Sequence, residues 1–141
     1  MSWAQTYLGI PFVDRGETRS GCDCWGLLKL ILKEQCGYDV SAHEDVEAGD
    51  MLAKVRKIMR GAEDDPQWQR VEKEQAFDGV LMRGQVRVEG RTRGRPIHVG
   101  VVVQPGTLIH VEHGSGVTIV DYKRHPMIKN RVLAFYRFRN G

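Results

Sequence analysis

Cysteine is scarce in this 141-residue chain, with three in all. So small and odd a number excludes a disulfide framework, and a chain of this length buries enough surface to fold without one. No stretch approaches the ~18 consecutive apolar residues of a membrane-spanning helix. No internal repeat and no low-complexity linker divides the sequence, so one domain spanning 1–141 is expected. The start, MSWAQTYLGIPF, lacks the basic opening and apolar core of a secretory signal. Synthesis in the cytoplasm without a signal peptide is therefore expected, with any later export by another route. A large charge excess is missing too. Lys and Arg together number 21 against 18 Asp and Glu, a net charge of +3, which is compatible with a polyanionic partner without requiring one. Hydrophobic residues at 41% and charged residues at 28% are ordinary for a globular chain.

The first half reads helical. Ser2 followed by WAQTYL predicts a short capped helix closed by Gly9 and Pro11. Residues 12–23 are rich in Gly, Asp, Ser and Arg and read as loop. The dense apolar segment CWGLLKLILKEQC, ended by Gly37, predicts a helix over 24–36. Met51, Leu52, Val55, Ile58 and Met59 form one stripe of a further helix over 50–60, with Asp50 as its cap and the stripe read as core. The second half changes period. A short strand is expected at Val80–Met82, a strong β-branched one at 97–103, and others at 107–112, 117–122 and 132–138, with turns at Pro105-Gly106 and Gly114–Gly116. Helices followed by an antiparallel meander describe an α+β domain.

Cys24 stands at the expected start of the buried helix. Free backbone N–H groups and the helix dipole favour a thiolate there, and the same N–H groups serve a developing oxyanion. A nucleophile needs a base. His98 is polar inside an otherwise apolar strand, with Gly100 sharing its face and leaving room for a neighbour. His110 and His113 are both candidates to orient it. A two-residue turn at Pro105-Gly106 pairs His98 with His113, whereas a three-residue loop puts His98 and His110 on one face. A zinc reading would use Cys22, Cys24 and two histidines, but Cys-x-Cys is not the usual spacing of structural zinc ligands.

The segments YLGIPFVDRGETRSGCDCWGLL, FDGVLMR and IHVGVVVQPGTLIH together resemble the NlpC family of papain-like cell-wall endopeptidases, in its short phage-tail or prophage form. The likeness runs in order from Tyr7 to Phe138. It implies a papain-like α+β fold, N-terminal helices on a C-terminal antiparallel sheet, with Cys24 as nucleophile, His98 as base and His110 as the orienting residue, chosen over His113 by its spacing from the base. It implies that Asp23 helps hold the free amine of a peptidoglycan stem peptide, and it sets Tyr7, Phe12 and Trp25 beside the substrate. Phe12 stands where many members carry a tyrosine, whose hydroxyl Tyr7 would replace. The implied reaction is hydrolysis of stem peptides between D-glutamate and the diamino acid, with no metal or cofactor. The implied setting is a phage virion tail or the host cell wall, with tail proteins as partners. A catalytically weak structural tail component, and acyl transfer or thioester hydrolysis by the same residues, are the alternatives.

One segment stands outside this pattern. Arg83, Arg87, Arg91, Arg93 and Arg95 lie between Met82 and Ile97 with a single Glu. They read either as a contact for an anionic wall polymer or a tail protein, or as a solvated hairpin whose charges protect a strand edge. No interleaved aromatics offer a stacking platform, so nucleic acid is not the expected partner.

Overall fold

The structure, a computed structural model, describes residues 2–40, 68–88 and 91–139, and along 84–97 its description is of the backbone. The helix expected over 50–60 lies outside the described residues.

Ser2 caps a 3-10 helix, Trp3–Tyr7, its hydroxyl accepting from the Ala4 N–H at 3.3 Å. Two short antiparallel strands follow in the loop, β1 (Glu17–Thr18) and β2 (Gly21–Cys22). Helix α1 (Cys24–Cys36) then begins on Asp23 and ends on Gly37, whose φ of +71° is the left-handed conformation that glycine adopts without strain. Its bounds are those the apolar run and its closing glycine predict. Cys24, Trp25, Leu27, Leu28, Leu30, Ile31 and Leu32 are all buried. A helix apolar on so many sides must be covered on nearly every face, and each of its large side chains contributes about 1.5–3 kcal/mol by leaving water.

Six antiparallel strands form the main sheet: β3 (Trp68–Val71), β4 (Gly79–Val88), β5 (Arg91–Gln104), β6 (Thr107–His110), β7 (Thr118–Asp121) and β8 (Val132–Phe138), in the order β3-β8-β4-β5-β6-β7. The expected meander holds from β4 to β7. The last strand departs from it by crossing back between β3 and β4, where Ala134 pairs with Leu81 and Phe138 with Trp68. β3 was not legible because it is short and two of its four residues are exposed and polar. The strand expected over Val80–Met82 is far longer, since β4 and β5 run on together as a hairpin to Val88 and Arg91. The arginine-rich stretch is thus part of two paired strands. A single helical turn, α2 (Pro126–Lys129), precedes β8. Among the described residues no helix is long and apolar enough to cross a membrane.

Each face of the sheet has its own core. Leu81, Val99, Val101 and Ile109 belong to the core that contains α1. Val80, Met82, Val102 and Leu108 belong to a second core with Tyr122, against which Ile128 and Phe135 pack. The period of two along β5 thus sets His98, Gly100 and Val102 on the second face.

Gly26 is the tightest point in the first turn of α1. A Cβ there would lie 1.8 Å from the Gly16 carbonyl oxygen, and neither backbone can retreat. Gly26→Ala is expected to cost about 3 kcal/mol of unfolding free energy, the upper end for overpacking, measured as a lower urea midpoint at unchanged slope.

Candidate active site

The β5–β6 hairpin determines which polar side chains meet. Gln104 pairs with Thr107, so the turn is the two-residue Pro105-Gly106, with Gly106 at φ +93°. The next pair is Val102 with Leu108, and Val103 is left over as a bulge. One extra residue on β5 moves the register by one. The two-residue turn would by itself have set His98 against His113. The bulge instead puts Gly100 opposite His110 and brings His98 and His110 onto one face. A Cβ at Gly100 would lie only 3.4 Å from the His110 Cβ, so glycine does make the room that the histidine pair needs.

At its other end the ladder between β5 and β6 stops at Val101–Ile109. Val102 directs its N–H and carbonyl to β4, exchanging bonds with Asp78 and Phe77. By alternation the N–H of Val99 points toward β6, beyond the last pair. The Cys24 sulfur fills that place and takes a hydrogen bond from Val99. Sequence position on α1 and the parting of two strands together bring the thiol to the peptide that follows His98. Asp23 fixes the helix start, its Oδ1 accepting from the Gly26 N–H at 2.6 Å and its Oδ2 from the Arg15 N–H at 3.2 Å.

The thiol is not a low-pKa one. Cys24 is 6% exposed, and burial pushes its pKa up to about 12. The amides of Val99, Trp25 and Cys24 act in the opposite sense but do not offset the loss of water. The thiolate expected from the helix start is therefore corrected: desolvation outweighs the dipole, and the resting group is a neutral thiol.

His98 Nε2 and His110 Nδ1 are 2.8 Å apart and share one proton. Both rings are buried. Burial first, then the positive character of His110 and Arg131, lowers His98 to about 3, and His110 is lowered mainly by burial. Both are neutral imidazoles at rest. Two groups that the sequence did not reveal complete the cluster. Glu112 Oε1 lies 3.6 Å from His110 Nδ1 and 3.8 Å from His98 Nε2. Arg131 Nη2 approaches the same oxygen to 2.6 Å, while Arg131 Nε donates to the Arg83 carbonyl at 2.8 Å. His113 is exposed and packs on Phe12, with ring centroids 5.1 Å apart.

Residues 9–137 match the family model described as the NlpC/P60 family. The chain belongs to the NlpC/P60 family. Among solved structures, the NlpC/p60 domain of the peptidoglycan hydrolase SagA is 20% identical, with a TM-score of 0.56 over 96% of this chain and 92% of that one. A protein of Staphylococcus aureus subsp. aureus Mu50, described as similar to lipoprotein of the NLP/P60 family, is 17% identical. Its TM-score is 0.59, over 98% of this chain and 39% of that one. At such identities both share the fold. No curated protein matches the chain.

Within this NlpC/P60 fold the remaining expected site residues part company. Phe12 is half-buried against His113. Tyr7 is carried away from the site. The Tyr7 hydroxyl donates to Glu34 Oε1 at 2.6 Å and accepts from Gln35 at 3.2 Å. Ten residues of helix separate Glu34 from Cys24, about 15 Å at 1.5 Å per residue, so Tyr7 does not supply the hydroxyl missing at Phe12. Trp25 is buried against Trp68, ring centroids 6.2 Å apart, as part of the α1 core. Both carboxylate oxygens of Asp23 already accept backbone N–H groups. His98, His110 and Glu112 are also a possible donor set by residue type, their atoms within 4.8 Å of one another, and neither Cys22 nor Cys24 belongs to it.

Two outcomes follow. With iodoacetamide at pH 8, half-buried Cys36 should be alkylated well before buried Cys22 and Cys24, as read by peptide mass, because burial raises Cys22 to about 11 and Cys24 to about 12. Stability should fall with acid. His98 is depressed in the folded chain, so the unfolded state binds the extra proton, and the stability present above pH ~6.5 is lost progressively toward pH 3. Urea midpoints between pH 7 and 4 measure this.

Proposed function

We propose that the chain is a cysteine endopeptidase hydrolysing peptidoglycan stem peptides, at the bond between D-glutamate and the diamino acid, in a phage-tail setting. The observation that carries the reading is the His98–His110 contact of 2.8 Å beside the strand position where the Cys24 sulfur is held, in a chain of the NlpC/P60 family. The description of SagA as a peptidoglycan hydrolase supports the substrate class.

His98 Nε2 is engaged with His110, so Nδ1 is the atom left to act as base. For Nδ1 to accept, His98 must carry its proton on Nε2 and donate it to His110 Nδ1, which fixes His110 as the Nε2–H tautomer. Cys24 then gives its proton to His98 Nδ1 as the sulfur attacks the peptide carbonyl. Because the thiol is neutral at rest, this is general-base catalysis in step with attack. The N–H groups at the start of α1 hold the oxyanion. His98 returns the proton to the leaving amine, and water hydrolyses the thioester by the reverse sequence. The arginine-rich sequence of the β4–β5 hairpin is read as a contact for an anionic wall polymer or a tail protein.

A catalytically weak structural tail component is the second reading, and the burial of the Cys24 sulfur is the observation that favours it. Purified sacculi and stem peptides, with products read by mass spectrometry, separate the two. Cys24→Ser should abolish cleavage while unfolding free energy stays within about 1 kcal/mol of wild type, and His113→Ala should retain most activity. Wild-type protein that cleaves nothing, or Cys24→Ser that cleaves normally, would reject the peptidase reading.

A further inference from the structure

The family pattern stated above uses Cys24, His98 and His110, and it leaves Glu112 and Arg131 without a role. Their placement is not that of a surface pair. The Arg131 side chain is 9% exposed and that of Glu112 33%. The two atoms that meet, Arg131 Nη2 and Glu112 Oε1, are buried and find no aligned hydrogen-bond partner. Each is compensated by the other's charge across 2.6 Å. A buried charge left alone is strongly unfavourable, so the two hold one another in place.

That compensated pair lies against the two imidazoles. Glu112 Oε1 is nearly equidistant from the two nitrogens that share a proton, at 3.6 and 3.8 Å. These distances are too long for hydrogen bonds and short enough for a direct Coulomb effect in a dry site. Glu112 follows β6 by two residues, beyond the last β5–β6 pair, and its carboxylate reaches both rings from there. Among the described residues the charged groups that reach the His98–His110 pair are Glu112, after β6, and Arg131, before β8, while the Cys24 thiol sits on the Val99 amide beside them. From β4 the neighbour is Met82, paired with His98.

We propose that Glu112 and Arg131 are positioning residues that act as one ion pair to set the charge state of the His98–His110 pair, Glu112 favouring the imidazolium that base catalysis creates and Arg131 opposing it. The proposal rests on the peptidase reading for its purpose, though not for its test. The electrostatics run the same way: Arg131 lowers both histidines and Glu112 raises His110. Removing the carboxylate unmasks the guanidinium, and the imidazoles become harder to protonate. Removing the guanidinium does the reverse.

The test is a pH titration of the imidazole nitrogens by NMR in protein carrying 15N-labelled histidine, for wild type, Glu112→Gln, Arg131→Gln and the double variant. Arg131→Gln should raise the midpoint of the His98–His110 pair by about one unit, a tenfold change in proton affinity. Glu112→Gln should lower it, and the double variant should return to within about half a unit of wild type. Glu112→Asp and Arg131→Lys keep both charges and should titrate like wild type. Shifts in the same direction for both single variants, or none in either, overturn the proposal. So does a shift in the charge-keeping variants equal to that in the neutral ones, since packing alone would then explain it. If either single variant fails to fold, the double variant decides: titration like wild type supports the compensated pair, and a displaced midpoint overturns it. None of these readouts needs a substrate, so a protein that cleaves nothing while its histidines shift as described would reject the peptidase reading alone.

Discussion

Strand β5 carries one residue more than β6 between the Pro105-Gly106 turn and Val102, and the polar side of this molecule hangs on that residue. Val103 stands outside the ladder, so all pairs before it are displaced by one. The displacement sets His98 and His110 on one face, with Gly100 between them. Without it the tight turn would bring His98 to His113, which instead lies exposed against Phe12. The ladder also ends early, at Val101–Ile109, and the unpaired amide of Val99 is where the Cys24 sulfur docks. A bulge and a premature strand end are usually losses of hydrogen bonding. Here they create the space in which a helix start, two imidazoles and an ion pair converge.

The second governing quantity is desolvation. A cysteine at a helix start is favoured as thiolate by the dipole, but burial, the largest effect on Cys24, pushes its pKa up to about 12. Loss of water thus outweighs the helix start. Neutral His98 and His110 follow from the same dryness. The thiol and both imidazoles therefore rest neutral, beside the opposite charges of Glu112 and Arg131.

Much of this could be read before the fold was seen, and the parts that could not have definite causes. Helix α1 was legible to the residue, since an apolar run bounded by Asp23 and Gly37 has local signals at both ends. Strands β5 and β8 announced themselves by β-branched and aromatic runs. Cys24, His98 and His110 emerged as a set from residue type and spacing together with the family resemblance. The bulge at Val103 could not be seen, because nothing in VVVQPG distinguishes a paired valine from an unpaired one. Arg131, from a distant loop, carries no local signal at all. Tyr7 was misread for a similar reason: its partner Glu34 lies at the far end of α1, a contact that only packing establishes. The crossing of β8 between β3 and β4 is likewise a long-range pairing.

If Cys24 is the nucleophile of the proposed peptidase, its sulfur becomes acylated by a stem peptide. Rapid acid quenching of the protein with a stem peptide, followed by peptide mass analysis, tests it directly. The account predicts that the peptide containing Cys24 gains the mass of the acyl half of the substrate and loses it on longer incubation, and that His98→Ala forms no such adduct. Cleavage without any adduct on Cys24, or an adduct on another residue, would contradict it.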